Sequence, residues 1–296
     1  MTTATTATVS AARPVTGTLF LRYSSRIATH LVLVVLAVVW LTPTAGLLVT
    51  SFRPLEAISD SGWWTALSPA RFTLDSYATV LTARGMGRSF LNSFIITIPS
   101  TVLPVFIAAL AGFAFAWIQF RARDTILLVI IALLTVPIQM ILVPNLQLYS
   151  RLGITGSFVG LWLVHTAFGT PFGIYLLRNF FVQLPRDLFE SARIDGASEL
   201  TIFFRIVLPL STPALASLAI FQFMWVWNDL LMALVFLSNP GRQPMTVAIS
   251  GMIGTYGTEW HLLSAAAFLS MSVPLVVFFA LQRYFVRGLM AGSVKG

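Results

Sequence analysis

The sequence predicts an all-α membrane protein with six transmembrane helices. Of its 296 residues, 57% are hydrophobic and only 9% are charged, whereas about a quarter of the residues in a soluble domain are charged. The charged residues separate six long intervals that are almost free of charge. Each interval is long enough to cross the membrane, since a helix needs about 20 apolar residues to do so. Helices rather than strands are expected because the apolar runs do not alternate with polar residues.

The spans are placed from these intervals, and each lies between charged residues or turn-forming segments. Their approximate limits are 27–50, 91–118, 125–149, 156–177, 211–237 and 261–283. The first span is expected to be an uncleaved helix, because its apolar run is too long for a signal peptide. Residues 1–20, rich in Thr and Ala, are predicted to be a disordered cytoplasmic tail. Residues 21–296 are then a single membrane domain.

The distribution of basic residues predicts the orientation. With the N-terminus in the cytoplasm, 12 of the 18 basic residues fall on the inside and six on the outside. Four of those six lie in the loop between the first two spans, where a long loop weakens the rule. Both termini are therefore predicted to be cytoplasmic, and contact with lipid headgroups accounts for much of the positive charge. No dense basic stripe indicates nucleic-acid binding.

One polar segment, residues 184–210, interrupts the apolar sequence and holds four of the ten acidic residues. Asp187 and Glu190 have capping-box spacing, which predicts a short helix from Leu188. Gly196 is a candidate C-terminal cap, and Ser198 is a candidate N-cap for a second short helix that ends before Pro209. An apolar stripe of Leu188, Phe189 and Ala192 would pack the first helix against the membrane domain. An ordinary amphipathic loop would have a similar composition.

The same segment resembles the signature of the permeases of ATP-binding cassette (ABC) importers. That signature reads Glu-Ala-Ala, three residues, Gly, nine residues and Ile-x-Leu-Pro; here it is Glu190-Ser191-Ala192, Gly196 and Ile206 to Pro209. Further similarity to the carbohydrate-uptake permeases, and to their maltose and α-glucoside branches, lies in five pieces. These are SGWWTAL (61–67), FTLDSYATVL (72–81), FLNSFIITIPS (90–100), WNDLLMALVFL (227–237) and LQRYFVRGLMAGSVKG (281–296).

The resemblance implies the architecture of a type I ABC-importer permease with a cytoplasmic coupling helix. It implies a heterodimer with a second permease, two ATPase subunits below, a solute-binding protein outside, and a sugar as substrate. The coupling surface would comprise Asp187, Glu190, Ser191, Ala192, Asp195, Gly196 and Ala197. This chain is not expected to be an enzyme or to hold a cofactor, and ATP with magnesium would be used by the partner ATPase. The sequence agrees, since its only lysine is Lys295 and a phosphate-binding loop needs a lysine after glycine.

Candidates for the transport path are polar residues within the spans. Gln222, Trp225 and Asp229 share one helical face at spacings of three and four, and carboxylates, amides and indole rings suit a sugar. Asp229 is the only acid inside a span, so it is either functional or a structural cap. Weaker candidates are Asn228, Gln139 and Asn145. His30, His165 and His261 lack metal-ligand spacing and are interpreted as packed or interfacial residues.

Two other classes of protein were weighed against the importer permease. A stand-alone secondary transporter for a small polar solute would not need the signature segment, and no repeat relates the two halves of the chain. A membrane-embedded enzyme would need a nucleophile, metal or paired-carboxylate arrangement, which the spans lack. The sequence thus favours the sugar permease of a prokaryotic cytoplasmic membrane, and the expected substrates are α-glucosides or other di- and oligosaccharides.

Overall fold

A computed structural model describes residues 16–66, 70–255 and 259–293, with side chains described for 26–66, 70–252 and 259–282. Every regular element in these ranges is helical. The helices are α1 Thr16–Ser51, α2 Leu55–Asp60, α3 Asp75–Leu81, α4 Met86–Trp117, α5 Arg123–Leu133, α6 Ile138–Arg151, α7 Phe158–Phe181, α8 Arg186–Ile194, α9 Glu199–Ile202, α10 Leu208–Leu210, α11 Thr212–Trp227, α12 Leu231–Phe236, α13 Met245–Thr255 and α14 Trp260–Ser293. A π-helical turn, Phe203–Val207, joins α9 to α10.

Four helices within the described residues are individually long and apolar enough to cross a membrane: residues 26–51, 86–117, 158–181 and 260–282. Two bent pairs, α5 with α6 and α9–α10 with α11, would bring the total to six if each pair forms one span. If each bent pair is counted as one span, the structure has six spans, in agreement with the predicted all-helical fold with six transmembrane helices. The helix α1 begins at Thr16, inside the segment predicted to be disordered, and residues 1–15 lie outside the described part.

Two predicted spans are not straight helices, which corrects the sequence-based picture. The span at 125–149 divides into two helices, α5 and α6, and these meet at 99°. The division falls before Pro137, because proline has no N–H with which to continue the hydrogen bonding of α5; Pro137 instead directly precedes α6. The span at 211–237 ends its first helix at Trp227 and resumes at Leu231. It is also bent by 78° from the helices that precede Thr212.

The helices α4, α7 and α11 form the centre of the bundle, where small residues allow close approach. A Cβ atom added at Gly173 of α7 would lie 2.7 Å from the Cβ of Ala108 in α4. Close backbone approach at small residues is a common mode of helix association in membranes. Gln222 of α11 is 5% exposed, and its amide donates to the Ser100 carbonyl of α4 at 3.1 Å.

Loops predicted to lie on opposite sides of the membrane are found at opposite ends of the bundle. At one end Arg84 pairs with Glu259 at 2.6 Å, and Asn92 donates to the carbonyl of Gly241 at 3.0 Å. At the other end Trp117 meets the polar segment 184–210. The helix α4 joins the two ends, and its 32 residues span about 48 Å at 1.5 Å per residue.

Candidate functional site

The polar segment 184–210, which we call the signature loop, begins with α8. This helix starts at Arg186 and is preceded by Pro185, which makes no side-chain capping bond. The predicted start at Leu188 with an Asp187–Glu190 capping box is therefore wrong. The physical reason is that Pro185 takes the N-cap position with an extended backbone, φ −60° and ψ 128°, where its missing N–H costs no helical hydrogen bond, so the helix begins directly after it, two residues earlier.

The C-terminus of α8 is closed by a Schellman motif centred on Gly196. Gly196 has a φ of 78°, the left-handed conformation that glycine adopts without a steric penalty. The Gly196 N–H donates to the Arg193 carbonyl at 3.0 Å, and the Ala197 N–H donates to the Ala192 carbonyl at 2.9 Å. These are the two hydrogen bonds that define the motif, so the predicted glycine cap is confirmed.

The side chain of Phe189 anchors α8 to the membrane domain. Phe189 is fully buried and its ring stacks on Trp117 at 3.9 Å between centroids, with 16° between the planes. The Trp117 indole N–H in turn donates to the Phe181 carbonyl at 3.0 Å. One residue of the loop is therefore fastened to the ends of both α4 and α7, so a displacement of α8 would be transmitted to these helices.

The predicted coupling residues divide into an outward and an inward set. Asp187, Glu190, Ser191, Asp195 and Gly196 are exposed, whereas Ala192 and Ala197 pack against the hydrophobic core. The Glu190 carboxylate makes no hydrogen bond or ion pair with the residues that the structure describes. An exposed carboxylate without such a bond is available to a basic group of a partner protein.

Three apolar side chains extend this exposed surface: Leu188 is 42%, Ile194 85% and Leu200 63% exposed. The prediction that Leu188 would be buried with Phe189 is therefore wrong. Ile194 and Leu200 were missed, although Ile194 follows Glu190 by four residues and so shares its helical face. Exposed apolar residues beside charged ones are typical of a surface that binds another protein.

The second half of the loop is held to the first by an ion pair and a cap. The Arg193 guanidinium donates to both carboxylate oxygens of Glu199, at 2.9 and 3.3 Å, and this hydrogen bond raises the pKa of Arg193. Ser198 accepts the Thr201 N–H at 3.3 Å, which confirms the predicted cap of the second helix. That helix does not end before Pro209 but continues through the π turn into α10.

A second group of candidate residues lies at the break between α11 and α12. The Asp229 carboxylate accepts the N–H groups of Met232 at 3.3 Å and Ala233 at 3.1 Å, and its carbonyl accepts the Thr246 hydroxyl at 2.7 Å. Asp229 is thus a cap for α12, the structural alternative that the sequence left open. Its side chain is 11% exposed, so a small part of it also reaches the surface.

The remaining path candidates occupy different environments. Trp225 is 39% exposed, and the exposed Asn228 donates to the Met224 carbonyl at 2.7 Å. Gln222 lies inside the subunit, so it does not share the exposed surface of Trp225. Gln139 is exposed and Asn145 half-buried, and both lie on α6.

His165, predicted to be a packed or interfacial residue, is fully buried beside this break. Its Nε2 atom lies 3.7 Å from Oδ2 of Asp229. Its ring meets the Trp225 ring edge-to-face, with 5.3 Å between centroids and 89° between planes. The sequence carried no signal for this arrangement, because α7 and α11 are far apart along the chain.

Comparison with known proteins gives one family and several relatives. The family model described as binding-protein-dependent transport system inner membrane component matches residues 104–290. The Osmoprotective compounds uptake permease protein GgtD of Synechocystis sp. is 50% identical, over 90% of this chain and 91% of its own length. The Alpha-glucoside transport system permease protein AglG of Rhizobium meliloti is 55% identical, over 79% of this chain and 63% of its own length.

Solved structures show the same fold. A chain of a bacterial ABC transporter involved in the import of the acidic polysaccharide alginate aligns with a TM-score of 0.77 at 21% identity, covering 93% of this chain and 100% of that chain. A second structure is the alginate ABC transporter in complex with an alginate pentasaccharide-bound periplasmic protein, with a TM-score of 0.64 at 14% identity. It covers 88% of this chain and 94% of that chain.

Proposed function

This chain belongs to the family of binding-protein-dependent transport system inner membrane components, and from this premise we propose that it is the permease subunit of an ABC sugar importer. The proposed cargo is an α-glucoside or another di- or oligosaccharide. The observation that carries the proposal is the 55% identity to an α-glucoside transport permease over 79% of this chain. Members of this family are transport subunits rather than enzymes, and a separate subunit hydrolyses ATP. A stand-alone secondary transporter is not favoured.

The signature loop supports a coupling role toward that ATPase. Its exposed surface combines the carboxylates of Asp187, Glu190 and Asp195 with the apolar side chains of Leu188 and Ile194. Because Phe189 fastens this surface to α4 and α7, movement imposed by a partner would reach the centre of the bundle. We place the loop and both termini in the cytoplasm, and the ends of the bundle around Arg84 and Arg242 toward the solute-binding protein.

The exposed residues at the α11–α12 break support a place on the sugar path. Trp225 offers the face of an indole ring, which suits the apolar face of a pyranose, while Asn228 and the accessible edge of Asp229 offer hydrogen-bonding groups. These groups would face a cavity shared with the second permease. Gln139 and Asn145 remain weaker candidates for the same cavity, and Gln222 serves within the subunit.

The test of the substrate class is transport by the complete importer. Proteoliposomes containing this chain, the second permease, the ATPase and the solute-binding protein should accumulate a labelled α-linked disaccharide such as maltose or trehalose when ATP is supplied. Cellobiose, which is β-linked, is the matched control. Glycine betaine, an osmoprotective compound that is not a sugar, is also tested, because the 50% identical relative is named for the uptake of osmoprotective compounds.

The outcomes separate the alternatives. ATP-dependent accumulation of the α-glucoside but not of cellobiose supports the proposal. Accumulation of glycine betaine alone would reject a sugar as cargo. Uptake by this chain without the ATPase would instead identify a secondary transporter.

A further inference from the structure

We propose that His165 is a positioning residue, which holds the indole of Trp225 in the orientation that meets the sugar. This inference rests on the proposed place of Trp225 on the sugar path. His165 cannot touch the cargo directly, because none of its surface is exposed within this chain. Trp225 can, because 39% of its surface is exposed.

The contact between the two rings has the geometry of a specific aromatic pair. The centroid separation of 5.3 Å and the perpendicular planes fall within the range in which an aromatic edge is attracted to a ring face. The pair joins the middle of α7 to the last turn of α11. Its effect is to restrict the rotation of an otherwise exposed indole.

His165 also lies next to the interruption between α11 and α12, on which Asp229 is located. The Asp229 carboxylate, 3.7 Å from Nε2, is fixed by two N–H groups of α12. Neither ring nitrogen of His165 has a hydrogen-bond partner among the described residues. The ring therefore has a fixed carboxylate and the indole as its neighbours, and with Thr97, Leu161 and Val226 it lines one small cavity inside the bundle. Burial and the ring contact, rather than a hydrogen bond, define its position.

A fixed indole should bind the passing sugar better than a mobile one, because less side-chain freedom is lost when the ring stacks on the pyranose. Replacing His165 with Leu introduces an apolar side chain and removes the ring that meets Trp225. Replacing it with Phe retains an aromatic ring at this position. The loss of one aromatic pair changes an affinity by a factor between about two and ten. We therefore expect His165→Leu to lower the uptake rate by such a factor. We expect the uptake rate of His165→Phe to stay within about twofold of wild type.

The experiment uses the complete importer labelled with 5-fluorotryptophan. The Trp225→Phe variant identifies the fluorine resonance of Trp225 among the signals of the eight tryptophans of this chain and those of the partners. We expect His165→Leu to shift or broaden that resonance and His165→Phe to leave it near its wild-type position. The matched control is His30→Leu, the same change on the exposed α1, which should alter neither resonance nor uptake.

Each failure has a different meaning. An unchanged Trp225 resonance in His165→Leu overturns the positioning role, whatever happens to uptake. Equal effects of Leu and Phe in both measurements also overturn it, because an aromatic ring at position 165 would then be irrelevant. Loss of complex assembly in both variants would assign His165 to folding instead. A shifted resonance with wild-type uptake in both His165→Leu and Trp225→Ala would keep the contact but remove this surface from the sugar path.

Discussion

Gly196 illustrates how a single residue shapes the signature loop. Its φ of 78° costs an L-amino acid about 1–2 kcal/mol, although a Cβ there would meet no atom within 4 Å. We therefore expect Gly196→Ala to distort the turn between α8 and α9 and to weaken copurification of the ATPase, and Gly196→Asp to weaken it further by adding a charge. Affinity purification of the importer followed by quantification of the ATPase measures this.

The matched control for that change is Gly85→Ala. Gly85 has a φ of 67° and equally open surroundings, but it precedes α4 at the opposite end of the bundle. Similar backbone strain at Gly85 should leave ATPase recovery unchanged. Equal losses in the two variants would show that recovery reports general stability, which would contradict a coupling role for the Gly196 turn.

Asp229 offers a second test at the residue scale. Because its carboxylate caps α12, Asp229→Ala should lose about 0.5–2 kcal/mol of stability and lower the recovery of assembled importer. Asparagine caps helices about as well as aspartate, so Asp229→Asn should restore assembly. Thermal unfolding and size-exclusion chromatography of the purified complex measure both effects.

The Asp229→Asn variant also tests the contribution of charge to transport. If it assembles fully but transports sugar more slowly per complex, the carboxylate charge acts on the path in addition to capping α12. Thr246→Val, which removes the hydroxyl bond to the Asp229 carbonyl without changing any charge, serves as the control for general disturbance of the break.

At the scale of elements, α8 depends on Phe189 for its attachment. Phe189→Ala removes a fully buried ring, a change that costs about 3–5 kcal/mol in protein cores. We expect α8 to detach from Trp117, with sugar-stimulated ATP hydrolysis falling more than membrane insertion does. The measurement is ATPase activity of the reconstituted importer with and without sugar-loaded binding protein.

Phe204→Ala is the corresponding control, because Phe204 lies in the same loop but is 50% exposed. It should retain most of the sugar stimulation. Normal stimulation in Phe189→Ala would contradict the idea that the stack on Trp117 transmits movement to α4 and α7.

The helical elements were predictable to the extent that local chemistry determines them. Charged residues marked the ends of the spans, and Gly196 and Ser198 marked the turn in the signature loop. The 99° bend of α5 against α6 was not predictable from Pro137, because proline only removes a hydrogen bond and the angle depends on the packing of both halves. The break after Trp227 contains neither proline nor glycine, and the only local signal was the polar pair Asn228 and Asp229.

The candidate sites were predictable only where one short segment supplies all the residues. Helical spacing puts Ile194 on the same face as Glu190, but it does not decide which face of α8 meets the bundle, which is why the prediction for Leu188 was wrong and Ile194 was not named. The spacing of three residues predicted that Gln222 and Trp225 lie on one face of α11. Packing of α11 against α4 and α7 separates them, and such contacts between distant segments have no signature in the local sequence.

At the scale of the whole molecule, the orientation of the bundle can be tested by labelling. The chain has no cysteine, and Ser59 and Ser191 are both exposed near opposite ends. We expect Ser59→Cys to react with a membrane-impermeant thiol reagent in intact cells, and Ser191→Cys to react only after permeabilisation. Labelling of Ser191→Cys from outside would reverse the proposed topology. Reaction of neither site in permeabilised cells would show instead that both are covered in the complex.

Gly169 and Gln222 carry a consequence for how this sequence can diverge. A Cβ at position 169 would lie 2.5 Å from Oε1 of Gln222, so the amide would have to move aside. Position 222 can lose its amide while Gly169 is still present, at the expense of one buried hydrogen bond to α4. A side chain added first at position 169 would displace the amide from that same hydrogen bond, so the two positions are expected to change together rather than independently.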